Sequence, residues 1–178
     1  MKKSIVRLRS PRPGDHGRVV ALHGELYARE FGYDDRFEAL VAGIVAEFVE
    51  NFDPRRERCW IAEMHGEVVG SVFLVRKSPT VAKLRLLVVH PKARGQGLGR
   101  RLVRACIRFA RGAGYKKMVL WTQSHLAAAR GIYQAEGFHK VSREKHRSFG
   151  KRLVAEVWEL KLQYRWRRGM DALEFFNQ

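Results

Sequence analysis

The segment between residues 81 and 122 restricts the folds open to this chain more than any other part of its 178 residues. It begins with a β-rich run over residues 81–89 and ends with another over residues 118–122. Between them, residues 97–112 carry apolar side chains at helical spacing. The inward positions of this helix are Leu98, Leu102, Cys106 and Phe109. Two strands joined by a helical crossover usually pair in parallel. We therefore expect a sheet with a parallel pair in it.

The β-rich residues before this segment predict an antiparallel part of the same sheet. A first short strand is expected over residues 5–8. Residues 59–64 and 68–75 form two further β-rich runs, and His65-Gly66-Glu67 between them is typical of a hairpin turn. The strand over residues 81–89 continues this antiparallel meander. The parallel pair should therefore lie in the middle of the sheet.

Two helices are expected between the first strand and the hairpin. The first covers residues 15–30 with Asp15 as its N-cap, because a short acidic side chain can accept a hydrogen bond from the free amides of the first turn. Its predicted inward face consists of Val19, Ala21, Leu22 and Leu26. The second covers residues 35–50, where apolar residues again recur at helical spacing.

The rest of the chain predicts a last helix and two last strands. The helix covers residues 126–135, with Gly137 near its C-cap, and the strands cover residues 139–145 and 153–160. The order is β-α-α-β-β-β-α-β-α-β-β, an α/β (α+β) fold with a seven-stranded, mostly antiparallel mixed sheet and helices on both faces. We expect one domain over residues 1–160, followed by a basic, aromatic extension over residues 161–178.

The strand over residues 81–89 runs through a glycine-rich loop into the next helix. The first amides of a helix are unpaired and carry partial positive charge, and glycines let an anion approach them. This arrangement is typical of a pyrophosphate site. A P-loop is excluded because no Lys-Ser/Thr follows the glycines, and a Rossmann fingerprint is excluded because Arg100 stands where its third glycine would be.

The amino-acid composition limits the classes of binding partner but does not choose among them. The formal net charge of +17 favours polyanions, either nucleic acid or a phosphate-rich cofactor. The two cysteines stand outside any metal-ligand spacing, so we expect reduced thiols, no metal and a cytoplasmic protein. The basic N-terminus lacks the apolar run of a secretory signal, and no run is long enough to span a membrane.

Two motifs identify a family resemblance. Arg94-x-x-Gly97-x-Gly99 resembles the [QR]xxGx[GA] loop of the GNAT superfamily of N-acetyltransferases, and Ala129-x-x-x-Tyr133-x-x-x-Gly137-Phe138 resembles its AxxxYxxxGF helix and turn. The resemblance covers roughly residues 5–160 and implies a GNAT fold. It is closest to the acetyltransferase half of bacterial fusions with a MarR-type winged helix. Since the chain starts shortly before its first strand, we expect no such DNA-binding domain in it.

The resemblance implies acetyl-CoA as the acyl donor and assigns roles to residues of the loop. Backbone groups of Leu87, Val88 and Val89 would contact the pantetheine arm, with the Val89 N–H as the oxyanion donor. The pyrophosphate would be held by Arg94, Gly95, Gln96, Gly97, Leu98, Gly99, Arg100 and Arg101. Tyr133 would be the catalytic general acid that protonates the departing thiolate. Many family members have Asn where this chain has Leu126, so we expect that contact either to be missing or to be supplied by another group, such as Gln123 or Ser124.

The sequence indicates the acceptor site and the catalytic base less clearly than the acetyl-CoA loop. Candidate bases are Glu25, Glu30, Glu63 and His125, and a water chain is an equal alternative. Groups available for the acceptor are Tyr27, Phe31, Tyr33, Trp121 and residues 146–149. We expect direct attack by a primary amine of a small molecule, such as an amino acid or related metabolite, and a homodimer is compatible with the sequence. A basic rim would suit a carboxylate-bearing acceptor.

Two other functions remain as alternatives. A nucleic-acid-binding module with a GNAT-like fold would explain the net charge and the Tyr164-Arg165-Trp166-Arg167-Arg168 run, although a solvated helix or a dimer contact explains that run as well. A domain that senses acetyl-CoA without turnover is the second alternative. The intact loop and Tyr133 favour catalysis over the second alternative.

Overall fold

Seven strands and four α-helices make up the computed structural model, which describes residues 5–162 of the chain. The strands are β1 (Arg7–Arg9), β2 (Arg58–Met64), β3 (Glu67–Arg76), β4 (Val81–Val89), β5 (Lys117–Gln123), β6 (His139–Ser148) and β7 (Lys151–Lys161). The helices are α1 (Asp15–Phe31), α2 (Asp35–Glu50), α3 (Leu98–Gly112) and α4 (Ala127–Ala135). This order confirms the predicted succession of elements.

The strands form one mixed sheet in the order β1-β2-β3-β4-β5-β7-β6. The β4–β5 pair is parallel, and the other pairs among the described strands are antiparallel. Helix α3 supplies the crossover between β4 and β5. The fold is therefore the predicted seven-stranded mixed sheet with its parallel pair inside.

Helices cover both faces of the sheet because strand side chains alternate between them. On one face, α3 and α4 enclose a large core that includes Leu102, Cys106 and Met118. On the other face, α1 and α2 pack Val19 and Val41 against strands β2 and β3. None of the described helices is both long and apolar enough to cross a membrane.

Two details of α1 differ from the expectation. Asp15 is the first helical residue and not the N-cap, because Gly14 occupies that position with φ of 90°. The buried Asp15 carboxylate instead accepts hydrogen bonds from the Arg9 guanidinium and from the Arg12 N–H at 2.7 Å. Ala21, predicted on the inward face, is exposed. A carboxylate that binds the neighbouring strand is thus what fixes the start of this helix.

The end of the predicted domain needs a smaller correction. Strand β7 reaches Lys161, and Leu162 packs in the large core, so the ordered fold continues past residue 160. The remaining residues of the predicted extension, including the basic run at residues 164–168, lie outside the described part of the chain.

Strand β4 separates from β5 halfway along its length. Their parallel register runs from Val81–Lys117 to Leu84–Leu120, although β4 continues to Val89. Just beyond the last pair, Leu86 has φ of 52°, and the register with β3 shifts at the same place. This bulge turns β4 away and leaves a cleft between the two strands.

Gly70 on β3 allows the close approach of the bulged strand. A Cβ atom at this position would lie 2.7 Å from the Val88 carbonyl oxygen, which is backbone and cannot rotate away. The sequence pattern alone marks Gly70 only as an interruption of a β-rich run. Its physical reason is the contact with β4.

We predict that Gly70→Ala lowers the free energy of unfolding by about 1–3 kcal/mol, because an added methyl group must displace strand β4. Gly43→Ala is the matched control. It lies within α2, where a Cβ atom would meet nothing within 4 Å. We expect this control to gain up to about 1 kcal/mol from helix propensity. Urea unfolding measures both, and equal effects would contradict the assignment of Gly70.

Candidate active site

Two neighbouring cavities open where β4 and β5 diverge. The first, which we call the loop cavity, has a volume of about 520 Å³ and is lined by the glycine loop, the end of β4 and the start of α4. The second, the aromatic cavity, has a volume of about 320 Å³ and is lined by α1, α2, β4, β5 and Phe149. They share Tyr27, Leu87, Leu126 and Ala129 as lining residues. The two cavities therefore meet at these residues.

The glycine loop presents free amides to the loop cavity. Gly95 and Gly97 have φ of 72° and 73°, in the left-handed region that favours glycine. Gly97 is the N-cap of α3, and the first intrahelical bond runs from the Arg101 N–H to its carbonyl. The amides of Leu98, Gly99 and Arg100 consequently have no acceptor within the helix. A Cβ atom at Gly95 or Gly97 would meet nothing within 4 Å, so the approach to these amides is open.

Gly99 has a second role that the motif did not reveal. A Cβ atom here would lie 2.8 Å from Ile132 Cδ1 on α4. Gly99 therefore lets α3 and α4 pack closely, in addition to lining the loop cavity. This packing places α4 beside the cleft.

The charged residues of the loop differ in where their side chains go. The Arg94 guanidinium lies at the cavity, donating to the Val89 carbonyl at 3.1 Å and pairing with Glu30 at 2.9 Å. Arg100 lines the cavity but is ion-paired with Glu136. The Arg101 guanidinium donates to the Val6 carbonyl, away from the loop. The Arg101 side chain therefore does not lie where the predicted phosphate contact requires it.

Leu98 and Gln96 of the loop also differ in whether their side chains reach the loop cavity. Leu98 is buried and lines the loop cavity. The Gln96 side chain is exposed and does not line either of the two cavities. Any contribution from Gln96 would thus come through its backbone.

The backbone at the end of β4 faces the cleft. The His90 N–H donates to the Val69 carbonyl at 2.8 Å, which makes Gly70 and Val89 a pair that exchanges no hydrogen bonds. The N–H and carbonyl of Val89 therefore point away from β3, toward the cleft. The next pair, Ser71–Val88, is by alternation of the bonded type. Of the three predicted backbone contacts, Leu87 and Val89 face the cleft and Val88 faces β3.

Tyr133 lies on α4 beside the junction of the two cavities. Its side chain is 5% exposed and lines the aromatic cavity, and Ala129, one turn earlier on α4, lines both cavities. Burial raises the pKa of the Tyr133 phenol, so the hydroxyl stays protonated. Within residues 5–162 no group forms a hydrogen bond with it. The phenol is a proton donor with no internal acceptor.

Aromatic rings form the walls of the second cavity. Tyr27 stacks on Phe37 with 4.4 Å between ring centroids, and Tyr33 stacks on Phe149 at 5.2 Å. Trp121 closes the β5 side. Phe31, also predicted to contact the acceptor, lines the loop cavity instead. The aromatic cavity therefore brings together Tyr27, Tyr33, Trp121 and Phe149, whereas Phe31 and residues 146–148 do not line it.

The four candidate bases are separated by the fold. His125 and Glu30 line the loop cavity. Glu63 is held by Arg9 at 2.6 Å on β2, and Glu25 is exposed and lines neither cavity. Burial lowers the pKa of His125, whose Nε2 lies 3.4 Å from the Tyr33 hydroxyl. A neutral imidazole thus connects the loop cavity with the aromatic cavity.

Several residues of the site were missed or only partly foreseen from the sequence. Buried His23 lines the aromatic cavity, and its Nδ1 lies 2.8 Å from the Val19 carbonyl. Lys83 and Arg85 line the same cavity from β4. The available signal was their alternation with apolar residues along a strand, which indicated a polar side of β4 but not a cavity. The described residues include no cluster of His, Cys, Asp and Glu that could hold a metal ion.

The chain is similar in sequence to known acetyltransferases. A family model described as "Acetyltransferase (GNAT) family" matches residues 23–138. N-acetyltransferase 8B of Homo sapiens is 40% identical over 87 residues, which cover 46% of this chain and 38% of that protein. N-acetyltransferase family 8 member 2 of Rattus norvegicus is 39% identical over 100 residues, covering 53% and 44%. The matched region thus spans less than half the length of these relatives.

Solved structures share the fold at low sequence identity. The protein yncA of Salmonella typhimurium, solved with acetyl-CoA, has a TM-score of 0.73 at 20% identity and covers 89% of this chain and 95% of its own. A ribosomal-protein-alanine N-acetyltransferase from Brucella melitensis has a TM-score of 0.72 at 20% identity, covering 88% and 99%. With the family model matching more than half of its residues, this chain belongs to the GNAT acetyltransferase family.

We predict that the His23 imidazole weakens the fold in mild acid. Burial lowers the pKa of His23 from 6.5 to about 4, so the unfolded chain takes up a proton in a range where the folded protein does not. Above pH 6.5, the ordinary pKa, His23 should leave the free energy of unfolding unchanged. As the pH falls toward 4, it should lower the free energy of unfolding by roughly 3 kcal/mol. Urea unfolding at several pH values, with His23→Phe for comparison, measures the effect.

The same prediction has a direct spectroscopic test. In a proton NMR titration, the ring resonance of His23 should shift near pH 4, and His23→Phe identifies that resonance by its loss. A His23 resonance that titrates at the ordinary value would contradict the prediction. So would an identical acid dependence of stability in His23→Phe and the wild type.

Proposed function

We propose that this chain is an acetyl-CoA-dependent N-acetyltransferase that acetylates the primary amine of a small molecule by direct attack. The observation that carries the proposal is the meeting of the two cavities at the open edge of β4, beside Tyr133. A donor in the loop cavity and an acceptor in the aromatic cavity would contact each other at this junction. Membership of the GNAT family, and the acetyl-CoA present in one structure of the same fold, support this choice of donor.

The residues present fit acetyl-CoA. The amides after Gly97 and the open space at Gly95 suit a pyrophosphate, as helix N-termini generally do. The backbone of Leu87 and Val89 faces the cleft and suits the amide groups of a pantetheine arm, beside the Arg94 side chain that donates to the Val89 carbonyl. Leu126 and Ala129 offer apolar surface next to it. Gly97, Leu87, Val89, Arg94 and Arg100 are the residues that would hold the donor.

Acetyl-CoA would supply the thioester carbonyl that the amine attacks. The Val89 N–H would donate a hydrogen bond to the carbonyl oxygen as negative charge develops there, which is the role of an oxyanion hole. The cavity walls would bring the amine to that carbonyl and raise its effective concentration. These contributions come from backbone geometry and shape.

Two side chains would handle the protons. The protonated phenol of Tyr133 would donate to the departing thiolate, for which its hydroxyl is free. His125, which burial keeps neutral, would accept the proton that the amine loses. Its contact with the Tyr33 hydroxyl orients the ring toward the aromatic cavity. General acids and bases of this kind each contribute about 100-fold to 10,000-fold.

We predict that Gly97→Glu abolishes acetyl-CoA binding, because it places a bulky anion at the amides of α3. Gly66→Glu is the matched control, since Gly66 also has a positive φ, of 79°, and open space around it. Calorimetric titration should give micromolar-range binding for the wild type and the control, and none for Gly97→Glu. A folded wild type that binds no acetyl-CoA would refute the proposed function.

We predict that Tyr133→Phe lowers kcat by about 100-fold or more while leaving the affinity for acetyl-CoA unchanged. Tyr115→Phe is the control. This buried hydroxyl donates to the Arg56 carbonyl at 2.8 Å, outside both cavities, so its loss should cost about 1 kcal/mol of stability and leave kcat as it is. Rates of CoA release measure both. An unchanged kcat in Tyr133→Phe would reject its role as general acid.

Other expectations from the sequence stay predictions. They are the cytoplasmic location, the homodimer and the closer resemblance to MarR fusions. The nucleic-acid-binding alternative rests on the net charge of +17 and on residues 164–168, and these residues lie outside the described part of the chain. Salt-dependent binding of DNA or RNA without any binding of acetyl-CoA would favour that alternative.

A further inference from the structure

The aromatic cavity contains a buried polar group that lacks a partner. Gln123 on β5 is 3% exposed and lines the cavity. Its Nε2 finds no hydrogen-bond acceptor among the described residues. Leaving a buried amide donor unpaired costs about 1–3 kcal/mol, so such a group in a cavity indicates a ligand that pairs with it.

The Gln123 amide contacts His146, and one tautomer of that imidazole matches the orientation of the amide. Its Oε1 lies 3.1 Å from His146 Nε2, and His146 Nδ1 lies 3.0 Å from the Ser148 hydroxyl. An imidazole that donates from Nε2 to Oε1 can accept at Nδ1 from the serine. This relay holds the amide oxygen and leaves both N–H groups of Gln123 for the cavity.

The charge of the aromatic cavity has one sign. Lys83 and Arg85 line it, and its described lining includes no carboxylate. Lys83 and Arg85 also border a neighbouring cavity lined by Glu47, Asp53 and Glu57, and the largely exposed Glu47 lies 3.7 Å from Arg85. Burial and the adjacent Arg85 lower the pKa of Lys83, because both disfavour its positive charge. An anion that enters the cavity would relieve this repulsion.

The same charges argue against a polycationic acceptor. A polyamine or a lysine-rich peptide would bring further positive charge to Lys83 and Arg85 and would find no carboxylate in the described lining. The aromatic walls instead suit a bulky apolar group. A volume of about 320 Å³ accommodates a small molecule and not a folded partner.

We propose that the aromatic cavity selects amines that carry both a carboxylate and a bulky apolar group, and that Gln123 is a specificity-determining residue that donates to the carboxylate. This inference rests on the proposed function and names the acceptor class of its site. The carboxylate pairs with the Gln123 N–H groups and with the positive charge of Lys83 and Arg85. The apolar group packs among the rings, and the amine points to the junction beside Tyr133.

Three probes that share one apolar group test the selection. They are L-phenylalanine, L-phenylalaninamide and phenethylamine, of which only the first has a carboxylate. Binding to the protein alone is followed by calorimetry or by the change in tryptophan fluorescence, and acetylation is followed by CoA release. We expect L-phenylalanine to bind roughly 10-fold to 100-fold more tightly than either other probe, as for a hydrogen-bonded charged group.

Variants of Gln123 test its role separately. In Gln123→Glu a carboxylate oxygen replaces the N–H groups, so the protein would present a negative charge to the carboxylate of the ligand. The oxygen that faces His146 remains. We expect KM for L-phenylalanine to rise at least 10-fold with little change in kcat, and phenethylamine to be unaffected or favoured. Gln134→Glu, on the exposed side of α4, is the matched control and should match the wild type.

The outcomes separate this inference from the proposed function. Binding of L-phenylalanine that is no tighter than that of phenethylamine overturns the inference, whether or not acetyl transfer occurs. An amide of Gln123 in the opposite orientation would offer its oxygen to the cavity and would give that result. A carboxylate preference that persists in Gln123→Glu overturns the role of Gln123. Failure to bind acetyl-CoA refutes the proposed function without affecting the comparison of the probes.

Discussion

The separation of β4 from β5 after the Leu84–Leu120 pair is the constraint on which the rest of the site depends. If the parallel ladder continued, the Val89 N–H and carbonyl would be used by β5, and no cleft would exist. The bulge at Leu86 instead leaves these groups facing the cleft, where the Arg94 side chain donates to the Val89 carbonyl, next to the amides of the glycine loop. Both cavities border this one gap, so the same backbone irregularity would supply the proposed donor site and its contact with the proposed acceptor site.

Neighbouring contacts stabilise this irregular strand. A positive φ at a residue such as Leu86 costs of order 1–3 kcal/mol and persists only when the surroundings fix it. The Ser71 hydroxyl donates to the Leu86 carbonyl at 3.1 Å, and the Val88 side chain packs against Leu22 and Leu26 of α1. Gly70 leaves room for the displaced carbonyl on the other strand. The bulge is therefore held from β3 and α1 together.

Net charge is a poor guide to where charge acts in this protein. The glycine loop and the start of α3 are rich in arginine. Arg100 nevertheless pairs with Glu136, and the Arg101 guanidinium donates to the Val6 carbonyl. The positive side chains that line the aromatic cavity are Lys83 and Arg85 on β4, and Arg85 lies 3.7 Å from the largely exposed Glu47. The formal charge of +17 suggested a polyanion. The charges in this cavity support the proposal of one small acceptor with a carboxylate.

The order of the elements and the glycine loop were decided by the sequence itself, because hydrophobic periodicity and turn residues act locally. The same local signals placed Tyr133 on α4 and Gly97 at the start of α3. The tertiary structure alone decided which polar groups meet. Gln123 and His146 lie on strands whose pairing with β7 brings them together, and Glu63 is removed from the site by Arg9. Such contacts depend on strand order and register, which no local pattern encodes.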